Sequence, residues 1–225
     1  MNMLVQPQRT PAETALIDAF AERVAELPGD PAVLTKRDAA IEAVKAGLPT
    51  RRVEAWHYTD FRRLLGAVPA HDPLADARPV DPVVAGSTVL RVLNGQADAK
   101  VASPEGVIVR RVAELLADGS IAPALEAKDS ADTIAALNAA FVSDGYFVDI
   151  ADGTELAAPI ELQNVQAGGQ THVRLPVRAG ARVKATIVER QTGSGAALVS
   201  SVTNVTIGDG AEVTYLIVQD QPESV

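Results

Sequence analysis

A chain of 225 residues with 47% apolar side chains holds enough material for a buried core in one or two domains. No apolar run in it approaches the roughly 20 residues that a bilayer-spanning helix needs. With no cysteine, it is excluded from carrying a disulfide framework, a thiolate zinc site or a thiolate-ligated metal cluster of its own. The net charge of −9 lies beyond residue 65, because the first 65 residues hold nine Lys/Arg against nine Asp/Glu. Such a balance lacks the footprint of a nucleic-acid binder. Met1 to Arg9 lacks the basic-then-apolar pattern of a secretory signal, which points to the cytoplasm.

The head of the chain, residues 1–65, reads as helical. Thr10-Pro11-Ala12-Glu13 is a capping box with proline at the first helical position, where a missing N–H costs nothing. Leu16, Phe20, Val24 and Leu27 then recur at helical spacing, and Pro28-Gly29-Asp30-Pro31 reads as the stop. A second helix is expected from near Thr35, with Ile41 and Val44 inward, ending at Gly47 in a left-handed cap.

The densest pattern follows: Gly47-Leu48-Pro49-Thr50-Arg51-Arg52-Val53-Glu54-Ala55-Trp56-His57-Tyr58-Thr59-Asp60. It holds the single tryptophan and one of three tyrosines in a chain that is 4% aromatic, so it marks a local packing knot. On a helical turn, Arg51 and Glu54 are spaced for an ion pair and Arg52 and Trp56 for cation–π stacking. Arg51, Arg52, Arg62 and Arg63 read as a solvated, paired face in preference to a phosphate site. Trp56 and Tyr58 read as aromatic anchors of the head on the rest of the molecule.

Residues 66–86, with prolines at 69, 73, 79 and 82, fit no period and read as a connector. Residues 87–150 change texture. A strand is expected over Thr88 to Leu93, a turn at Asn94-Gly95, and another at Pro104-Glu105-Gly106 before a strand over Val107 to Val112. Helices near 113–118 and 131–143 follow, the second with Ile134, Leu137 and Phe141 on one face.

Residues 151–225 contain a repeat. Gly153–Ile160, Gly180–Ile187 and Gly210–Ile217 align at offsets of 27 and 30, each opening on a glycine turn and then alternating with period two. Leu156, Val183 and Val213 share one face with Ile160, Ile187 and Ile217, while Glu155, Arg182 and Glu212 share the other. A repeated strand unit of this size predicts a solenoid, with the isoleucines in an interior ladder and the charges in an exterior one of alternating sign. Pro159 is expected at an edge that lacks a partner. A β-sandwich is the competing architecture.

Gly-Leu-Pro followed by Arg52-x-Glu54-x-Trp56-x-Tyr58-Thr59 resembles the N-terminal signature of the SufD proteins, scaffold components of the SUF iron–sulfur cluster assembly machinery within the SufB/SufD family. Leu137-Asn138-x-x-Phe141-x-x-Asp144-Gly145, Leu156-x-x-Pro159-Ile160, Gly180-Ala181 and Gly208-Asp209-Gly210-Ala211 are similar too. The resemblance implies an α+β chain: an N-terminal helical region, then the first coils of a right-handed parallel β-helix. Family members are longer, so it implies an N-terminal portion that stops at Gln221-Pro222-Glu223-Ser224-Val225. It further implies a non-enzymatic subunit of the SufBCD complex, partnered by a SufB-like paralogue and a SufC-like ABC ATPase, mainly through the C-terminal half absent here. The iron–sulfur cluster would be assembled by the full complex. Gly47, Pro49, Arg52, Glu54, Trp56, Tyr58 and Thr59 would then be structural signature residues, with no catalytic, cofactor or metal residue in this chain.

Other site readings are weaker. His57, His71 and His172 share no ligand spacing, which argues against a metal site. Asp149 and Asp152 suggest a carbohydrate-active β-helix lyase or hydrolase as the alternative, but matched positions of the repeat alternate acid with base. A stand-alone interaction module is a third possibility. No G-x-x-x-x-G-K-[ST] loop is present, so ATP hydrolysis would fall to a partner.

Overall fold

The computed structural model describes residues 8–126 and 132–222. The head begins with α1 (Pro11–Arg23), whose capping box is reciprocal: the Thr10 amide donates to Glu13 Oε2 at 2.7 Å and the Glu13 amide to Thr10 Oγ1 at 3.2 Å. Helix α2 (Pro31–Lys45) starts before the expected Thr35. The Asp30-Pro31 pair read as a stop is also a start, because the Asp30 carboxylate caps the Val33 amide at 2.8 Å and Pro31 occupies the first helical position. Gly47, at φ +118°, turns the chain out of α2 as its glycine signal foretold. A four-residue helix α3 (Phe61–Leu64) closes the head.

Residues 66–86 form no regular element, as expected of a connector, yet they are strapped to a sheet. The Val83 amide donates to Glu161 Oε2 at 2.7 Å, Gln163 Nε2 to the Val80 carbonyl at 3.3 Å, and Arg190 Nη1 to the Asp81 carbonyl at 2.7 Å.

Eleven strands follow among the described residues. They are β1 (Thr88–Leu93), β2 (Gln96–Ala97), β3 (Val107–Arg111), β4 (Asp144–Ile150), β5 (Ile160–Gln166), β6 (Gly169–Arg174), β7 (Val177–Ala179), β8 (Lys184–Gly193), β9 (Ala197–Val202), β10 (Val205–Ile207) and β11 (Glu212–Asp220). Helices α4 (Val112–Ala117) and α5 (Thr133–Phe141) sit between β3 and β4. The expected second helix of this region was placed from residue 131, which lies outside the described residues. One sheet of five strands runs β11-β8-β5-β1-β2, and a second of six strands runs β10-β7-β4-β6-β9 with β3 antiparallel to β4.

Among the described residues this is an α/β architecture with two mostly parallel sheets and five helices, and neither sheet closes on itself. It overturns the expectation of an α+β chain built on a right-handed β-helix solenoid. The repeat is real as parallel pairing, with Ile160 opposite Ile187. The antiparallel β2 and β3 and the helices α4 and α5 precede the repeat in the chain, and the repeated strands are divided between two open sheets. The third copy is also displaced: Ile187 faces Tyr215, while Ile217 faces Glu189 and is 60% exposed. The exterior charge ladder runs through Lys184 in place of Arg182, with Lys184 Nζ 3.9 Å from Glu155 and opposite Glu212. Pro159 precedes no unpartnered edge, since β5 is flanked by β1 and β8 and the Thr88 amide donates to the Pro159 carbonyl.

Two cores result. Leu90, Val92, Tyr146, Ile160, Leu162 and Ile187 pack between the sheets. Leu16, Phe20, Val33, Leu116, Leu137 and Phe141 join the head to α4 and α5. Between the helices, Arg37 is fully buried without a carboxylate. Its guanidinium donates to the carbonyls of Ala139, Ala140 and Val142 at the end of α5 and of Pro28, and burial pulls its pKa down to about 10. No helix among the described residues is long and apolar enough to cross a membrane.

Candidate functional site

Three segments of the head meet at a cleft of about 810 Å³: the approach to α1, the end of α2 with the start of the signature, and the beginning of α3. Its anchor is Glu13, which is 1% exposed although it is a carboxylate. Glu13 Oε1 accepts from the Leu48 amide at 2.9 Å and from Arg62 Nε at 2.8 Å, while Oε2 accepts from Thr10 and from Arg62 Nη2. Burial pushes this carboxyl upward, but the hydrogen bond from Arg62 and the amides of Thr10 and Leu48 outweigh it, and the group is held below the ordinary glutamate range. The Arg62 amide in turn donates to the Pro49 carbonyl at 3.1 Å. The capping glutamate of α1 therefore fixes where the signature begins.

Around this anchor the cleft is cationic. Arg9, Lys45, Arg51, Arg52 and Arg62 line it, against the carboxylates of Glu13 and Asp60. Arg62 is committed to Glu13, and Lys45 lies 2.6 Å from Glu42. Arg9, Arg51 and Arg52 are exposed, and among the described residues their guanidinium groups have no ion-pair partner. The expected pairing of Arg51 with Glu54 and stacking of Arg52 on Trp56 are absent from this arrangement. The reason is local geometry: Thr50–Val53 is a turn and Glu54–Trp56 a single 3-10 turn, so helical i, i+3 and i, i+4 contacts do not form.

The signature residues divide between inside and outside. Pro49 is buried, Gly47 makes the turn, and Trp56 is half-buried against Phe61 with ring centroids 5.6 Å apart. Arg52, Glu54 and Thr59 are exposed, and Tyr58 is 92% exposed with its ring against His57. Tyr58 is thus no anchor of the head; that work falls to the helices and to Arg37.

The residues of the other similar stretches are internal ties. Asn138 Nδ2 donates to the carbonyls of Val173 and Ser200, both at 3.0 Å. Asp144, 3% exposed, accepts from the amides of Ala97 and Ala113 and from Arg111, joining β2, α4 and β4. Gly145 sits where a Cβ would lie 1.9 Å from the Arg174 carbonyl oxygen.

His71 and His172 come together around Gln170, which the sequence spacing does not reveal. His71 Nδ1 lies 2.9 Å from the Gln170 carbonyl and His172 Nε2 3.0 Å from Gln170 Oε1. His172 stacks on Phe141 inside the core, and burial, reinforced by Arg23 and His71, lowers its pKa to about 3. Among the described residues no group of three or more His, Asp or Glu side chains is placed to hold a metal ion. Asp149 is paired with Arg178 across β4 and β7, and Asp152 accepts from the Ala181 amide at 2.9 Å, so both acids of the carbohydrate-active alternative are engaged in strand and turn contacts. No protein-family model matches this chain, and no curated protein does either.

Proposed function

We propose that this chain is a SufD-like, non-catalytic scaffold subunit of SUF iron–sulfur cluster assembly, acting in the cytoplasm with a SufB-like paralogue and a SufC-like ABC ATPase. The observation that carries the reading is the Gly47–Thr59 segment itself. Its framework of Gly47, Pro49 and Trp56 is folded into the head, while Arg52 and Tyr58 face solvent. Exposed arginine and tyrosine beside a packed tryptophan is the composition that interface hot spots favour. In this reading the cluster is cargo of the assembled complex, and nucleotide chemistry belongs to the ATPase.

The test is removal of the gene from its source cells. The scaffold reading expects the activities of several unrelated iron–sulfur enzymes to fall together and to return with the intact gene. Unchanged activities under iron limitation would overturn it.

A further inference from the structure

The cleft at the head has a chemistry that a scaffold role does not call for. The chain is acidic overall, yet here five cationic side chains converge on two carboxylates, and one of those, Glu13, is already neutralised by Arg62 and two backbone amides. Asp60 is likewise occupied, its Oδ1 accepting from the Arg63 amide at 3.1 Å. The C-terminal end of α2, whose dipole is negative, opens toward the cleft. The carbonyls of Glu42, Ala43 and Val44 are taken by the amides of Ala46 and Gly47, and Lys45 stands beside them. What remains without an ion pair among the described residues is the set Arg9, Arg51 and Arg52, facing the one cleft carboxylate, Asp60, that no cation pairs.

Three unpaired guanidinium groups around a concavity repel one another unless an anion lies between them. Guanidinium forks match oxyanions in bidentate fashion, and a phosphoryl group offers several acceptor oxygens to more than one fork at once. At about 810 Å³ the cleft falls within the range of small-molecule sites, and Ala46, Gly47 and Leu48 give it a non-bulky apolar side. We propose that this cleft binds a small phosphorylated ligand carrying a diphosphate or an equivalent cluster of phosphoryl oxygens. Arg51 and Arg52 are the principal contacts, Arg9 closes the far side, and Arg62 is a positioning residue held by Glu13. The site stands or falls independently of the scaffold reading, because binding is measured on the isolated chain.

Isothermal titration calorimetry of the full chain with sodium pyrophosphate, and separately with ADP, tests it. Saturable binding of one pyrophosphate per chain is expected, weakened at least tenfold in the Arg51→Ala, Arg52→Ala double variant and unchanged in Arg78→Ala, an exposed arginine of the connector. Because Arg51 and Arg52 make no ion pair among the described residues, the double variant is expected to keep the wild-type urea midpoint. Equal affinity for ADP and pyrophosphate assigns the phosphates alone as the ligand determinant, and tighter ADP binding assigns a nucleotide. No saturable heat with either probe, or less than a twofold change in the double variant, overturns the proposal. So does tighter binding of an aspartate-rich peptide than of both phosphate probes, which would make the cleft a docking site for an acidic protein segment.

Discussion

At the scale of single residues, Glu13 is where local and tertiary structure meet. One carboxylate completes the capping box of α1, receives the Leu48 amide and holds Arg62. Its folded pKa is depressed, so its contribution is present above about pH 4.5 and is lost as pH falls through the lower folded value. Glu13→Gln is expected to cost about 2 kcal/mol at pH 7, and the gap from wild type in urea denaturation should close toward pH 3. His172 acts in the same direction. The unfolded chain takes up a proton near pH 6.5 that the folded ring refuses down to about 3, so stability falls with acid across that interval. Its ring resonances should stay flat from pH 8 to pH 4.5; a titration within that range would contradict its stacked, buried placement. Arg37 is the third such residue. Arg37→Met strands four carbonyls at the junction of head and α5, and a loss of about 3 kcal/mol in denaturant midpoint analysis is expected. None of these roles except the capping box was legible in the chain. An arginine on a helix reads as solvated, and only the placement of α5 brings the carbonyls to it.

At the scale of elements, signals that depend on a few neighbouring residues were read well. Strand β1 runs over Thr88–Leu93 as expected, and Asn94-Gly95, with φ of +45° and +80°, forms the tight turn into β2. Asp30-Pro31 reads as a stop alone, although the same residues also cap and open α2. The repeat is legible in period and, between its first two copies, in register, while the third copy departs from both register and the expected burial of Ile217. A slip of two residues preserves every in/out assignment, so the alignment of Gly210 with Gly180 could not distinguish an offset of 30 from the pairing of Ile187 with Tyr215. The connector carried no period because its ties are backbone groups. Its partner, Glu161, is a buried acid near the start of a central strand, and that anomaly is the available signal. Glu161→Ala is expected to release the strap, raising hydrogen exchange at Val83 while the exchange of β5 amides stays slow. Gly145 makes the sharper prediction. At φ +141°, with the Arg174 carbonyl where a Cβ would stand, Gly145→Ala should cost over about 4 kcal/mol and yield little folded protein on expression.

At the scale of the whole molecule, a head of three helices is locked by Arg37 and an apolar cluster to α4 and α5, beside two open, mostly parallel sheets. The sequence pattern anticipated parallel stacking but not the architecture. Period-two alternation constrains which face of a strand is buried and says little about how many strands join before an antiparallel neighbour or a helix intervenes. The signature segment was legible as the chain's unusual feature, whereas its cationic cleft emerged only from the convergence of Arg9 and Arg62 on Arg51 and Arg52. The most direct test of the scaffold account is the mass and composition of the native complex recovered from source cells through a tag on the endogenous gene. The account predicts recovery with a SufB-like paralogue and an ABC-type ATPase in fixed stoichiometry. Recovery of the tagged protein free of both, in cells where those two proteins assemble with each other, would contradict it.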